Sequence, residues 1–522
     1  MKTFKIYSLA AVLATGMAVT SCTESFLESE PTAQISVGGK SDQNSLLSGL
    51  AAAYQPLLFE SYANMSYEAT VYIAEIQGDD AWKGGGDAQD GMGGMNLNVS
   101  LFTTSGNSTL NGSWILYYSG IARTNAVIAG AANADPATEG ERANIERYNA
   151  EAHFLRAYYY YLLWRAFGNI PYFANADDFV EYTVPQLSAD QIYQKILDDL
   201  EVACNSNLQM SLNGVSGELG EGHATLAAAL MLRARVIMYQ KDSSKYQQAS
   251  DDLKQIIQSG AYELVAADKL DEMWEVAGEF GKESIFEINH LGEGANWWPA
   301  WAGYGTNLPS YISPNGLNDP SGIYRGGWGF GPVRADAVAA AFKAGDIRKN
   351  VSVLDWSSAE YTRRWQDTGL FFKKYAAREG DINHDKEAGA PDLNSTTNIR
   401  VFRYAETLLN YAELYYMNNV GEEAIAKKAF NDIHSRAFSG ATIASPTAAD
   451  IKAERHAEFF GEGLRYYDLV RWGDAATALS GPVADVAGGR TWTENNKYVA
   501  IPQSEIDKTK GTANELKQNP GY

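Results

Sequence analysis

A chain of 522 residues, 45% hydrophobic and 20% charged, carries enough apolar material for a large core, so disorder is not its default. Its formal charge of −22 argues against nucleic acid, which selects for Lys/Arg clusters that neutralise phosphates, and disfavours polyanionic ligands and anionic lipid surfaces. Two cysteines and six scattered histidines offer neither a disulfide framework nor a zinc-spaced ligand pair.

Lys2 and Lys5 open the chain, Ile6 to Val19 is mostly apolar, and Thr20-Ser21 stand before Cys22. A basic start, an apolar stretch short of the ~20 residues a bilayer demands, and small residues at a cut site predict a secretory signal over residues 1–21. Val19-Thr20-Ser21-Cys22 resembles a bacterial lipoprotein box, which makes Cys22 the lipidated first residue of the mature chain. Acyl chains there would hold it to a membrane, each buried methylene contributing ~0.8 kcal/mol. Cys204 then has no partner within the chain and reads as a small packing residue at a helix end. Residues 22–44, with Pro31, Gly38 and Gly39, form a polar tether. A single domain follows over 45–522, with an N-terminal part of about 45–270 and a C-terminal part of about 271–522.

Helical periodicity dominates that domain. Ile145, Tyr148, Ala152, Leu155, Tyr159, Leu162 and Ala166 recur at gaps of three and four, one stripe of a helix that Gly168-Asn169 and Pro171 end. Ala227 to Met238 and Tyr246 to Ile257 mark a second pair, stopped by Gly260. Val401 to Met417 and Glu422 to Phe438 mark another, joined at Val420-Gly421. Each pair spans a little over thirty residues, about the size of a tetratricopeptide unit, although an ordinary bundle also accommodates these segments. Ser284 to Ile288 is the best strand signal. Three stretches rich in Gly, Asn, Asp and Trp (77–112, 278–331 and 380–398) fit no helix, and their aromatic content argues for ordered, functional loops.

Gly78-Asp79-Asp80-Ala81-Trp82, the run from Trp114 to Asn125, and Ala150 to Tyr160 with Phe167-Gly168-Asn169-Ile170-Pro171 resemble segments of the SusD/RagB family of outer-membrane glycan-binding lipoproteins. Arg403 to Glu413, Glu454 to Trp472, Ile501 to Ile506 and Gln518-Asn519-Pro520-Gly521-Tyr522 continue the likeness through the C-terminal half. The resemblance implies a mainly α fold, a scaffold of about four tetratricopeptide-like helix pairs with long irregular loops and few short strands. It implies a lipid-anchored protein on the cell exterior that captures an oligo- or polysaccharide and delivers it to a SusC-like TonB-dependent transporter, with no catalysis and no catalytic cofactor. Within Glu454 to Trp472, Gly461 and Gly463 should separate two helices, and Asp468 is spaced to pair with both Arg465 and Arg471.

Sugar rings present apolar C–H faces rimmed by hydroxyls, which flat aromatics and polar side chains capture together. The loop from Gly292 to Pro332 holds Trp297, Trp298, Trp301 and Trp328 beside Tyr304, Tyr311, Asn296 and Arg325, with glycines that permit close approach. These residues are the glycan-binding candidates, together with Trp82, Asp79 and Asp80, since the family's N-terminal loop commonly contributes to its site. Some of the rings should instead anchor the loop to the scaffold. Asp381, Asn383, Asp385, Glu387 and Asp392 have the alternating oxygens of a calcium loop, but Lys386 replaces the glycine its turn prefers, which favours a solvated loop over a structural calcium. Two other functions compete. A glycoside hydrolase needs two carboxylates ~5–10 Å apart, and Asp79 or Asp80 beside Trp82 is the nearest choice. A structural transporter cap would bind no sugar.

Overall fold

The computed structural model describes residues 41–62, 67–91, 93–106, 108–181, 184–298, 301, 303–382, 384 and 389–522. The signal segment, Cys22 and most of the tether lie outside the described residues. The chain folds mainly into helices, and those that build the frame are α1 (Gln43–Leu58), α2 (Thr70–Gln77), α3 (Asn111–Ala132), α4 (Glu139–Phe167), α5 (Ala189–Cys204), α6 (Leu226–Gln240), α7 (Tyr246–Ser259), α8 (Tyr404–Asn418), α9 (Glu423–Ala437), α10 (Ala448–Glu458) and α11 (Arg465–Trp472). Helix α3 packs on α1, each helix from α4 through α7 packs on its predecessor, α7 packs on α8, and α8 packs on α9 and α10, in the manner of stacked tetratricopeptide-like pairs.

Local chemistry sets the helix ends. The Thr138 hydroxyl accepts from Glu141 N–H at the start of α4, and Ser188 with Gln191 forms a capping box on α5. Gly168 closes α4 at φ +70°, and a Cβ there would meet the Tyr498 ring at 2.6 Å, so only glycine fits. Helix α4 is more deeply enclosed than its predicted single stripe: apart from His153, every residue from Ala150 to Arg165 is buried. It runs among α1, α3 and α5, which cover it on several sides. Each buried large apolar side chain contributes about 1.5–3 kcal/mol. Two of the charged groups it carries inward are compensated: Arg156 binds Asp199, and the Arg165 guanidinium lies 4.0 Å from the Tyr467 ring centroid.

Cys204 ends α5 half-buried, and burial pushes its thiol up to about 12, which suits packing and not nucleophilic attack. The isolated strand signal is β1 (Ser284–Ile288), and its partner is β2 (Ile399–Arg403), antiparallel from Ser284–Arg403 to Ile288–Ile399. Val401 to Arg403 is therefore strand and not the start of α8, because a short apolar run reads equally as either until a neighbouring edge takes it. Gly461 and Gly463, both at positive φ, divide α10 from α11 as expected. Asp468 pairs with Arg471 at 2.8 Å and with Arg455, whereas Arg465 turns to Asp79.

The three irregular stretches meet one another. Backbone bridges join Ala81 to Val333 and Gly84 to Phe330, and others join Asn296 to Gly389 and Thr306 to Ser395. No helix among the described residues is long and apolar enough to cross a membrane.

Candidate functional site

Strand β1 runs directly into a hairpin-like loop. Leu291 N–H donates to Tyr304 O and Tyr304 N–H to Glu293 O, both at 3.2 Å, and Asn296 bridges to Trp301 nearer the tip. Asn296 is fully buried: its amide donates to Gly305 O and Leu393 O and accepts from Gly303 N–H, while its backbone N–H donates to Asn394. It therefore holds the loop's shape. A Cβ at Gly305 would meet Asn394 Cα at 2.5 Å, the close approach that the glycines permit.

At the tip, Trp297 and Trp298 are 47% and 51% exposed, among the few large apolar side chains left in solvent. Trp298 belongs to a continuous aromatic cluster. Its ring lies 6.2 Å from Tyr67, 6.4 Å from Trp301 and 5.8 Å from Trp328, centroid to centroid. Trp301 stacks on Tyr62 at 3.9 Å, Tyr67 lies parallel to Tyr311, and buried Tyr311 stacks on Phe330 at 4.1 Å. Trp301 and Tyr311 thus anchor and back the cluster, while Trp298 stands proud of it.

These rings line an open cavity of about 410 Å³, within the range that takes small ligands. Tyr67, Trp298, Tyr311, Trp328 and Phe330 make its apolar walls, and Asp90, Arg364 and Asp392 its polar rim. Arg364 bonds Asp90 at 3.1 Å and Trp328 O at 2.7 Å; Asp392 accepts from Arg325 at 3.1 Å and from the Trp328 indole at 3.2 Å. Carboxylates and guanidiniums thus alternate around aromatic faces with their charges paired, an arrangement suited to hydroxyls. Burial pushes the Tyr67 phenol up to about 12, so it stays neutral and able to donate.

The N-terminal candidates sit elsewhere. The Arg334 guanidinium covers the half-buried Trp82 ring at 4.2 Å. Asp79 is gripped by Arg465 at 2.7 and 2.9 Å, and fully buried Asp80 accepts from the His456 Nε2 at 2.7 Å. Buried carboxylates require such cationic or donor partners; α11, packed on α2, supplies Arg465, and α10 supplies His456. Asp79, Asp80 and His456 do bring ligand atoms within 4.8 Å of one another, yet they are already bonded among themselves and to Arg465. Of the calcium-loop residues, Asp381 accepts from Thr397 and Asp392 belongs to the cavity rim; Asn383, Asp385 and Glu387 lie outside the described residues. Tyr304 lines a different cavity from Trp298. Tyr62, Tyr67, Asp90, Phe330 and Arg364 gave no motif, because they come from separate segments that only folding brings together.

His290 sits where β1 enters the hairpin, 3% exposed, its Nδ1–H donating to Tyr304 O at 3.0 Å. Burial pulls its imidazole down to about 4. The unfolded chain takes up this proton near pH 6.5 and the folded one only near 4, so stability is lost as pH falls through that window. Between pH 7 and 5 this single group should remove about 2 kcal/mol. Urea titrations of wild type and His290→Gln should show that extra acid sensitivity only in the wild type.

Comparison with known proteins agrees with this architecture. The profile described as "SusD family" matches residues 347–522, and one described as "Starch-binding associating with outer membrane" matches residues 25–237. The fold is similar to surface glycan-binding protein A from Bacteroides fluxus, with 50% identity, a TM-score of 0.86, and coverage of 92% of this chain and 100% of that one. It is similar also to surface glycan-binding protein A from Bacteroides thetaiotaomicron in complex with laminarihexaose, at 35% identity and a TM-score of 0.81, covering 92% and 99% of the two chains. SusD-like protein P38 from Formosa agariphila is 27% identical over 520 residues, 92% of this chain and 94% of that protein.

Proposed function

The chain belongs to the SusD family, and from that premise we propose that it captures a neutral gluco-oligosaccharide of the laminari type in the Trp298 cavity. It passes the glycan uncut to a SusC-like TonB-dependent transporter, held on the outer face of the outer membrane by lipid on Cys22. The observation that carries the capture step is the half-exposed Trp298 ring standing over Tyr67 and Trp328 beside charge-paired rim groups. An indole held by neighbouring rings yet half exposed offers its free surface to a sugar. The ligand class is supported by the laminarihexaose complex of the Bacteroides thetaiotaomicron relative. Non-catalysis is supported by the rim itself, where Asp90 and Asp392 are each tied to a guanidinium and not held free across a scissile bond.

Affinity electrophoresis through laminarin should retard the protein, and incubation with laminarihexaose should release no new reducing ends. New reducing ends would replace capture by hydrolysis. Free migration through laminarin and every other neutral glucan, with co-purification of a barrel partner, would leave only a transporter cap.

A further inference from the structure

The hairpin that carries Trp298 at its tip borders a second cavity at its base. This space, about 550 Å³, lies between α1, the end of β1 and the turn around Glu218 to His223. Leu291 and Tyr304, 42% and 40% exposed, overhang it. Apolar groups of that size are rarely left open beside a concavity without use. The wall behind is fixed: Tyr54 donates to Glu151 at 2.7 Å, His223 bonds the same carboxylate, and Ala224 N–H donates to the Tyr54 hydroxyl. A site built on such a braced network keeps its shape without a ligand.

The rim has groups suited to hydroxyls. Exposed Glu218 and Glu221 stand on one side, and the amides of Gln55 and Asn289 on the other. Gln55 Oε1 is occupied by Arg123, which leaves its NH₂ to face outward as donor. An aromatic face and carboxylate acceptors around an apolar wall repeat the hairpin tip, with the Gln55 and Asn289 amides in place of its guanidinium. Glu218 and Glu221, neither ion-paired among the described residues, would repel uronic or sulfated sugars.

We infer that this cavity is a second saccharide site, distinct from the Trp298 cavity, which takes a short neutral oligosaccharide with Tyr304 as its stacking face. The inference rests on the reading of the chain as a glycan binder. Isothermal titration of the mature chain with laminarihexaose tests it, using wild type, Trp298→Ala, Tyr304→Ala and Ala51→Trp. Ala51 lines the cavity from the exposed face of α1, so a tryptophan there fills the space without removing any packing. Wild type should show two binding events. Trp298→Ala should keep the weaker one, while Tyr304→Ala and Ala51→Trp should weaken that one roughly fivefold to tenfold or more and keep the tighter one. If Tyr304→Ala loses both events through hairpin distortion, Ala51→Trp decides alone. A single event that Ala51→Trp leaves unchanged and Trp298→Ala abolishes would overturn the second site and leave the first standing. No event in the wild type would overturn both.

Discussion

Trp298→Ala is expected to remove most of the protein's retardation in laminarin gels, with affinity at the hairpin-tip cavity falling by about 2–4 kcal/mol, roughly thirtyfold or more. The indole is half exposed, so its removal leaves no sealed void and should scarcely change the melting temperature. What it removes is the most exposed ring of the cluster among the described residues. Trp328→Ala should also weaken binding, but with a stability loss, since its ring packs on Tyr311 and its N–H holds Asp392. Trp82→Ala should leave affinity near wild type, because its ring lies beneath Arg334 outside the cavity. Unchanged retardation of Trp298→Ala would remove the proposed docking site while leaving the family assignment intact.

The second large effect concerns stability. Glu458 ends α10 nearly buried, with Arg436 at 2.7 Å and Arg403 and Arg348 at 3.3 Å, while Lys374 donates to its backbone carbonyl at 2.8 Å. These cations hold its carboxyl far below the usual carboxylate range despite burial. Glu283, Glu454 and Glu462 complete the cluster, which ties β1, β2, α9 and α10 together. Removing one anion leaves guanidiniums buried with reduced compensation, a defect that typically costs about 3–5 kcal/mol. Glu458→Ala should therefore lower the unfolding free energy by that amount, read as a drop in the denaturation midpoint at unchanged slope, and Glu458→Gln by less, since its amide oxygen still accepts. A midpoint unchanged in both variants would show that the cluster relaxes around the loss. Because the cluster shares no residue with the Trp298 cavity, the folded fraction should bind glycan normally.

Elements with a local signal were legible in the residue order. The spacing of Ile145 to Ala166 marked the central helix, Gly168 its end, and Gly461 with Gly463 the break between α10 and α11. The Gly- and Trp-rich composition marked 278–331 as an ordered loop. The family likeness rested on motifs such as Asp79-Asp80-Ala81-Trp82 and Asp468 to Trp472, whose residues the structure uses as buried braces.

Which face each ring turns outward was not legible, because exposure depends on neighbours that arrive from distant segments. Trp301 and Trp298 stand three residues apart in one loop, yet Tyr62 stacks on the first while the second stays half exposed. Asp79 and Asp80 look like free acids in the chain; Arg465 of α11 and His456 of α10, 386 and 376 residues further on, claim them once the chain folds. The amino-acid order by itself determined the helices, their breaks and the supply of aromatic and acidic groups, since those follow from periodicity and backbone preference within a few residues. Tertiary structure alone decided which of these groups remain available to a ligand, since a buried charge must find its counter-ion and a buried ring its packing partner wherever the chain happens to bring them.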